Sequence, residues 1–367
     1  MPKLFEHNQI KDLKLANRFI RSATWEGLAD ENGGCTPELV DRMVELARSD
    51  VGLIMTGHTY VDPAGQATPW QLGVDKDESI DGLRQMTEAV HRESGRIIMQ
   101  LAHGGLNAEP QLTNTRPIGP SAGEGLVESP GKQMTTADIH QVVTSFGQAA
   151  QRAKAADFDG IQIHAAHGYL LSQFLSPAIN QRTDEYGGSL ENRARIILEV
   201  LRNIRQVVSR NYPILIKINS EDFLENGLSL TDFLQVAVML GKAGIDAIEV
   251  SGGTFFPGRR IPSRKEITFD RDQAYFRIAS RSLKKMSKVP VILVGGIRSY
   301  LLAERLVDEG VMDYIAMCRP FIREPMLIKR WQSGDLRKAT CISCNGCFGP
   351  ARSGRGILCV QDIQWKS

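Results

Sequence analysis

One pattern restricts the fold more than any other. Between Arg18 and Met317 eight short apolar, β-branched runs alternate with polar loops and seven stretches of helical apolar spacing. The runs cover residues 18–23, 51–57, 96–101, 160–164, 213–219, 247–251, 290–294 and 314–317. Helical stretches follow from Thr36 and over residues 79–94, 136–156, 189–209, 230–243, 272–286 and 300–309. Strands apolar at nearly every position are covered on both faces, and strands that return through helices pair in parallel. Eight such strands alternating with helices predict an α/β chain folded as a closed (β/α)8 TIM barrel. The barrel is expected over residues 1–335, with a small N-terminal hairpin over 4–17 and a cysteine-rich tail over 336–367. An open, doubly wound sheet is the alternative, but no Gly-x-Gly-x-x-Gly turn follows any of the runs.

A barrel of this kind carries its chemistry at the carboxyl ends of its strands. Here those ends read Ala23-Thr24-Trp25, Gly57-His58, Gln100 with His103, His164 with His167 and Tyr169, Lys217 with Asn219, Ser251, Gly295-Gly296 and Cys318-Arg319. Two histidines and a tyrosine within six residues, around a glycine, suit carbonyl or proton chemistry near neutral pH. Hydrogen-bonded core imidazoles are the plainer reading. A zinc site, with His58 or His103 as further ligands, is a third. Gly295 and Gly296, with Arg298 and Arg319 nearby, offer bare amides and guanidinium groups to a phosphate; a tight turn and a surface ion pair would look the same. Lys217 at the end of an apolar strand calls for an anionic partner.

Lys and Arg number 44 against 42 Asp and Glu, a formal charge of +2. That leaves no basic field for nucleic acid or anionic membranes, and no uncharged apolar run reaches spanning length. A small-molecule ligand and a cytoplasmic location are expected. Six cysteines in so long a chain do not suggest a disulfide framework, and four of them form Cys341-x2-Cys344-x2-Cys347-x11-Cys359. Thiolates at this spacing suit a [4Fe-4S] cluster or a four-cysteine zinc site, or else mark a metal-free tail.

Asn17-Arg18-Phe19, Gln100-Leu101-Ala102-His103, the segment 164–175 (HAAHGYLLSQFL) and the segment 182–195 (RTDEYGGSLENRAR) together resemble the old yellow enzyme-like NADH:flavin oxidoreductases. The resemblance spans nearly the whole chain and implies an FMN-containing barrel. It implies that hydride passes from NADH or NADPH through flavin N5 to an activated alkene. His164 and His167 would clamp the acceptor oxygen, and Tyr169 would protonate the adjacent carbon. Ala23, Thr24, Trp25, Gly57, Gln100, His164 and Lys217 would surround the flavin ring, while Gly295, Gly296, Cys318 and Arg319 would hold its phosphate. Three positions depart from the family pattern: Lys217 where many members have arginine, bulky Trp25 after Thr24, and Cys318 in place of a glycine. The cysteine spacing is similar to that of the multidomain branch containing 2,4-dienoyl-CoA reductase and trimethylamine dehydrogenase, which implies a [4Fe-4S] cluster and, with Cys359 so near the last residue, a separate redox partner protein. A homo-oligomer is also expected. Two other functions compete: a flavin-independent lyase or isomerase acting on a phosphorylated substrate, with Lys217 as amine nucleophile or base, and an electron-transfer protein working through its tail.

Overall fold

The computed structural model describes residues 2–124, 131–256 and 260–363. An antiparallel hairpin, β1 (Asn8–Ile10) and β2 (Leu13–Leu15), precedes the barrel. The barrel strands are β3 (Phe19–Arg21), β4 (Leu53–Tyr60), β5 (Ile97–Ala102), β8 (Ile161–Ala165), β9 (Ile214–Asn219), β10 (Ala247–Ser251), β11 (Val291–Leu293) and β12 (Tyr314–Met317). They close in that order, and every neighbouring pair is parallel, down to β12 against β3 with Ile315 opposite Phe19. The eight predicted runs thus become eight staves of one barrel.

The helices that cover it begin where the sequence supplies caps. Thr36 accepts from the Leu39 amide at 3.2 Å, with Pro37 as the first residue of α1 (Pro37–Arg48). Helix α2 is Ser79–Arg92, and a four-residue turn, α3 (Pro110–Thr113), follows β5. Thr135 and Asp138 form a reciprocal capping box at the start of α4 (Thr136–Ala155). Helices α5 (Leu170–Leu175), α6 (Leu190–Val207), α7 (Leu230–Lys242), α8 (Arg277–Met286) and α9 (Tyr300–Asp308) complete the main layer. Short pieces α10 (Arg319–Arg323), α11 (Leu327–Gln332), α12 (Phe348–Arg352) and α13 (Val360–Ile363) follow, the last of them ending the described residues.

Several boundaries differ from the sequence expectation for physical reasons. The second run does not stop at Gly57 but continues to Tyr60, with an irregularity in its pairing to β5 between Met55 and His58. A Cβ on Gly57 would lie 2.5 Å from Glu26 Oε2 and 2.7 Å from the Thr24 carbonyl. This glycine therefore marks a close approach inside a strand, and His58 lies on the strand. The stretch 104–135 is not bare loop: besides α3 it contains a parallel pair, β6 (Ile118–Gly119) and β7 (Lys132–Gln133), while 125–130 fall outside the described residues. Helix α8 starts at Arg277 rather than 272, after a single 3-10 turn over Asp270–Asp272.

Opposite the functional rim, the hairpin and chain start close the barrel floor. Lys11 reaches Asp246 at 2.9 Å, just before β10, and the Tyr314 hydroxyl at the start of β12 donates to Asn8. Phe5, Phe19, Tyr300 and Trp331 form an aromatic group there, with the Trp331 ring 5.6 Å from Phe19 and 5.7 Å from Tyr300. Trp331 is buried, and its indole N–H donates to the Arg337 carbonyl at 3.0 Å. Trp331→Ala removes both the ring contacts and the hydrogen bond, and is expected to lower unfolding stability by about 3–5 kcal/mol in denaturant titrations.

Candidate active site

A cavity of about 680 Å³ opens over the carboxyl ends of the strands. Ala23, Thr24, Trp25, Gln100, His164, His167, Tyr169, Lys217, Gly296, Cys318 and Arg319 line it. Of the residues expected there, Gly57 and Gly295 do not reach the wall. Gly57 lies beneath Thr24, and Gly295 is covered by the Tyr275 ring, which a Cβ would meet at 3.0 Å.

The end of β8 is shaped by its backbone. His167 has φ 66° and Gly168 φ 80°, a left-handed pair that turns the chain so that His164, His167 and Tyr169 gather on one side. The His167 amide donates to Asn219 Oδ1 at 3.1 Å, which holds the strained residue in place. The His164 ring lies 5.0 Å from both His167 and Tyr169, edge-on to each. His164 Nδ1 is buried without a partner, whereas His167 Nε2 is 2.7 Å from Ser251 Oγ. His58, set by the irregular β4, stacks on Tyr169 at 5.3 Å with its Nε2 3.4 Å from the phenol oxygen. Burial lowers the pKa of His164 and His167 well below the ordinary imidazole value, helped by the Lys217 charge, and lowers His58 to about 4. Burial also raises the Tyr169 phenol, so the site holds neutral imidazoles beside a protonated acid.

Lys217 and Gln100 form the floor, and below them lies a polar layer that sequence reasoning missed. Lys217 Nζ donates to Ser22 Oγ at 2.7 Å and pairs with Glu249 Oε1 at 3.1 Å. The anionic partner that Lys217 called for is thus Glu249 on β10, fully buried. The sequence did contain the signal, an acid in the middle of Ala-Ile-Glu-Val-Ser. With its ammonium so engaged, Lys217 offers no free amine nucleophile. His103, once a candidate metal ligand, is buried off the cavity and accepts from the Gly105 amide at 3.0 Å.

At the other end, Arg298 and Arg319 line the cavity but are anchored by carbonyl groups. Arg298 donates to the carbonyls of Cys341 and Ile267. Arg319 Nη1 donates to Arg264 O at 2.8 Å, Ser343 O at 3.3 Å and Asn345 Oδ1 at 2.7 Å, leaving Nε and Nη2 without hydrogen bonds among the described residues. Lys217, Lys265, Arg298, Arg319 and Arg352 contribute to the lining, and among the described residues no Asp or Glu does. Such a surface suits an anionic ligand. An unbonded buried imidazole nitrogen at one end and free guanidinium donors at the other fit a flat, phosphate-bearing group such as FMN.

The tail supplies Ser343, Asn345, Phe348 and Arg352 to the same cavity. Cys341, Cys344, Cys347 and Cys359 line a second, much smaller cavity, on whose wall Arg319 also lies. Burial pushes the Cys347 thiol up to about 12, with Cys341 adding to the shift. Among the described residues no three His, Cys, Asp or Glu donors are arranged to share a metal ion. No helix among them is long and apolar enough to cross a membrane.

Residues 3–337 match the NADH:flavin oxidoreductase / NADH oxidase family. The chain belongs to that family. It is 37% identical to an NADH oxidase of Thermoanaerobacter brockii over 95% of its own length and 54% of the relative's, and 33% identical to an NADPH dehydrogenase of Bacillus subtilis over 89% and 93%. Among solved structures it resembles a 2-naphthoyl-CoA reductase (TM-score 0.90, 27% identity, 97% of this chain and 56% of that one) and morphinone reductase (0.77, 28%, 91% and 90%). The chain spans about half the length of the first curated relatives it matches. Its barrel is that of the old yellow enzyme-like flavin oxidoreductases, and the flavin-independent lyase or isomerase is set aside.

Histidines held neutral by burial make the fold acid-sensitive. An unfolded imidazole takes up its proton near pH 6.5, while His58 and His103 resist until about 4 and burial likewise holds His164 well below the ordinary imidazole value. Stability present above the unfolded value is lost as pH falls, by about 1.4 kcal/mol per pH unit for each fully buried imidazole. His91 works the other way: its bond to Asp159 raises its pKa, so its contribution is full at low pH and fades as pH rises. The expected net result is a melting temperature that drops between pH 7 and 5, with a shallower drop in His164→Asn. A midpoint flat across that range would mean the imidazoles are already charged in the folded protein.

Proposed function

We propose that the protein is an FMN-dependent reductase that takes hydride from NADH or NADPH and delivers it to an activated alkene of the enone, enoate or enoyl thioester type. The observation that carries this reading is the convergence of His164, its Nδ1 unbonded, with His167 and Tyr169 on a cavity floored by Gln100 and Lys217 and lined by no Asp or Glu among the described residues. FMN, when bound, supplies the hydride at its N5. His164 and His167 donate hydrogen bonds to the acceptor's carbonyl oxygen and stabilise the negative charge that grows there. Being neutral, they do so without surrendering a proton. Tyr169, kept protonated by burial and oriented by His58, delivers the proton to the adjacent carbon. Ala23, Thr24, Trp25, Gln100 and Lys217 would hold the ring, and Gly296, Cys318 and Arg319 the phosphate.

The family resemblance and the four cysteines on one small cavity support a [4Fe-4S] cluster, held by Cys341, Cys344, Cys347 and Cys359, as a route for electrons to or from a partner protein. Their loop is hydrogen-bonded to Arg298 and Arg319, the arginines of the flavin cavity. Protein purified anaerobically should contain iron and acid-labile sulfide and absorb broadly in the visible beyond the flavin bands. Flavoprotein with neither would remove the cluster from the mechanism.

The alkene assignment is tested by separating the half-reactions in stopped flow. Tyr169→Phe should slow alkene reduction by about 10²–10⁴-fold, the range of a lost general acid, while leaving flavin reduction by the nicotinamide nearly intact. Equal losses in both would deny Tyr169 the role of acid. Joint replacement of His164 and His167 by alanine should weaken binding of phenolic ligands, and unchanged affinity would exclude the pair from holding the acceptor oxygen.

A further inference from the structure

Beneath the cavity floor, residues from five barrel strands or their immediate continuations contribute to one buried hydrogen-bonded layer. The Glu249 carboxylate receives Ser22 Oγ at 2.5 Å, Gln162 Nε2 at 2.8 Å and Lys217 Nζ at 3.1 Å. Gln162 Oε1 in turn accepts from Gln100 Nε2 at 2.6 Å. Glu249 and Gln162 are fully buried and do not line the cavity, whereas Lys217 and Gln100 do.

The chemistry of this layer has a direction. An ionised carboxylate only accepts, so the Gln162 atom facing Glu249 must be its NH2 group. Gln162 is then obliged to turn its carbonyl toward Gln100, which answers with its own NH2. The Gln100 carbonyl oxygen is left over, with no donor among the described residues, on a side chain that faces the cavity. One carboxylate thus fixes the orientation of two amides and makes Gln100 present an acceptor, the partner that a ring N–H of the ligand requires. The same carboxylate stands against the Lys217 ammonium and offsets its field at the place where a reduced flavin carries negative charge. Ser22 closes the pair, taking a hydrogen bond from Lys217 and giving one to Glu249.

We propose that Glu249 is a positioning residue of the flavin site: it orients Gln100 through Gln162 and tempers the charge of Lys217, so that the bound flavin is held at a lower reduction potential than Lys217 alone would set. It touches neither cofactor nor substrate. The inference rests on the flavin reading of the cavity.

The test is the midpoint potential of the bound FMN, measured by anaerobic spectroelectrochemistry on the whole chain, together with the dissociation constant of oxidised FMN. Glu249→Gln keeps the shape and removes the charge. Reduced flavin should be favoured over oxidised by about tenfold more than in the unaltered protein, an upward shift of about 30 mV for a two-electron couple. Binding of oxidised FMN should weaken as Gln100 loses its enforced orientation. Glu249→Asp, which keeps the charge, should return the potential most of the way. A potential unmoved in Glu249→Gln, or moved equally in Glu249→Asp, overturns the inference. If Glu249→Gln does not fold, Lys217→Met is compared with Lys217→Met/Glu249→Leu, which leaves no buried ion unpaired. The double variant should have the higher potential, and equal potentials overturn the inference. Failure of the unaltered protein to bind FMN would instead defeat the reading of the cavity, and this inference with it.

Discussion

Pairing of β12 with β3 is the interaction on which the site depends, because it turns a row of parallel strands into a closed ring. Once the ring is closed, eight carboxyl ends share one rim, and residues nearly 300 positions apart in sequence come into bonding distance. Ser22 and Lys217 meet at 2.7 Å and Ser22 and Glu249 at 2.5 Å only because β3, β9 and β10 are staves of the same barrel. The polar layer under the floor also has a structural consequence. A buried ion pair stripped of one partner is costly, whereas the complete set, with every carboxylate oxygen bonded, is tolerated. The five strands are therefore held to one register by a network that works only when whole.

A similar sharing of parts joins the tail to the barrel. Arg298 and Arg319 would ordinarily be read as ligands of a phosphate, yet their anchoring hydrogen bonds run to the carbonyls of Cys341 and Ser343 and to the Asn345 side chain. Ile357 donates from its amide to the Glu26 carbonyl, and Cys347, Ala351 and Ile357 pack with Trp25. Trp25 in turn lines the cavity. The order of the cysteine loop and the shape of the cavity's phosphate end are consequently one problem: whatever organises the four thiols also sets where two guanidinium groups point.

How much of this the chain announces depends on the range of the signal. Strands and helices are local, so apolar runs and caps such as Thr36-Pro37 and Thr135-Asp138 disclose the barrel and its order. Glycines mislead when their reason is remote. Gly57 reads as the end of a strand but exists because Glu26 and Thr24 press against it, and the strand runs on to carry His58 under Tyr169. Gly295 reads as a phosphate loop, while Tyr275 covers it.

The candidate site was legible in its histidines, tyrosine, glutamine and lysine because each is polar at the end of an apolar run. Glu249 and Gln162 do not follow that rule: both lie inside their strands, one layer deeper, where a polar residue within a strand is easily taken as facing outward. Geometry resolves the ambiguity through pairing. Gln100 stands opposite Gln162, and Glu249 opposite Lys217, in adjacent registers of neighbouring strands. An unpartnered charge in an apolar strand therefore directs the search to the strand that will neighbour it, at the same height, and in a closed barrel that neighbour is fixed by the order of the runs. For Lys217 on the fifth run, that search leads to the fourth and sixth, and the acid within reach is Glu249.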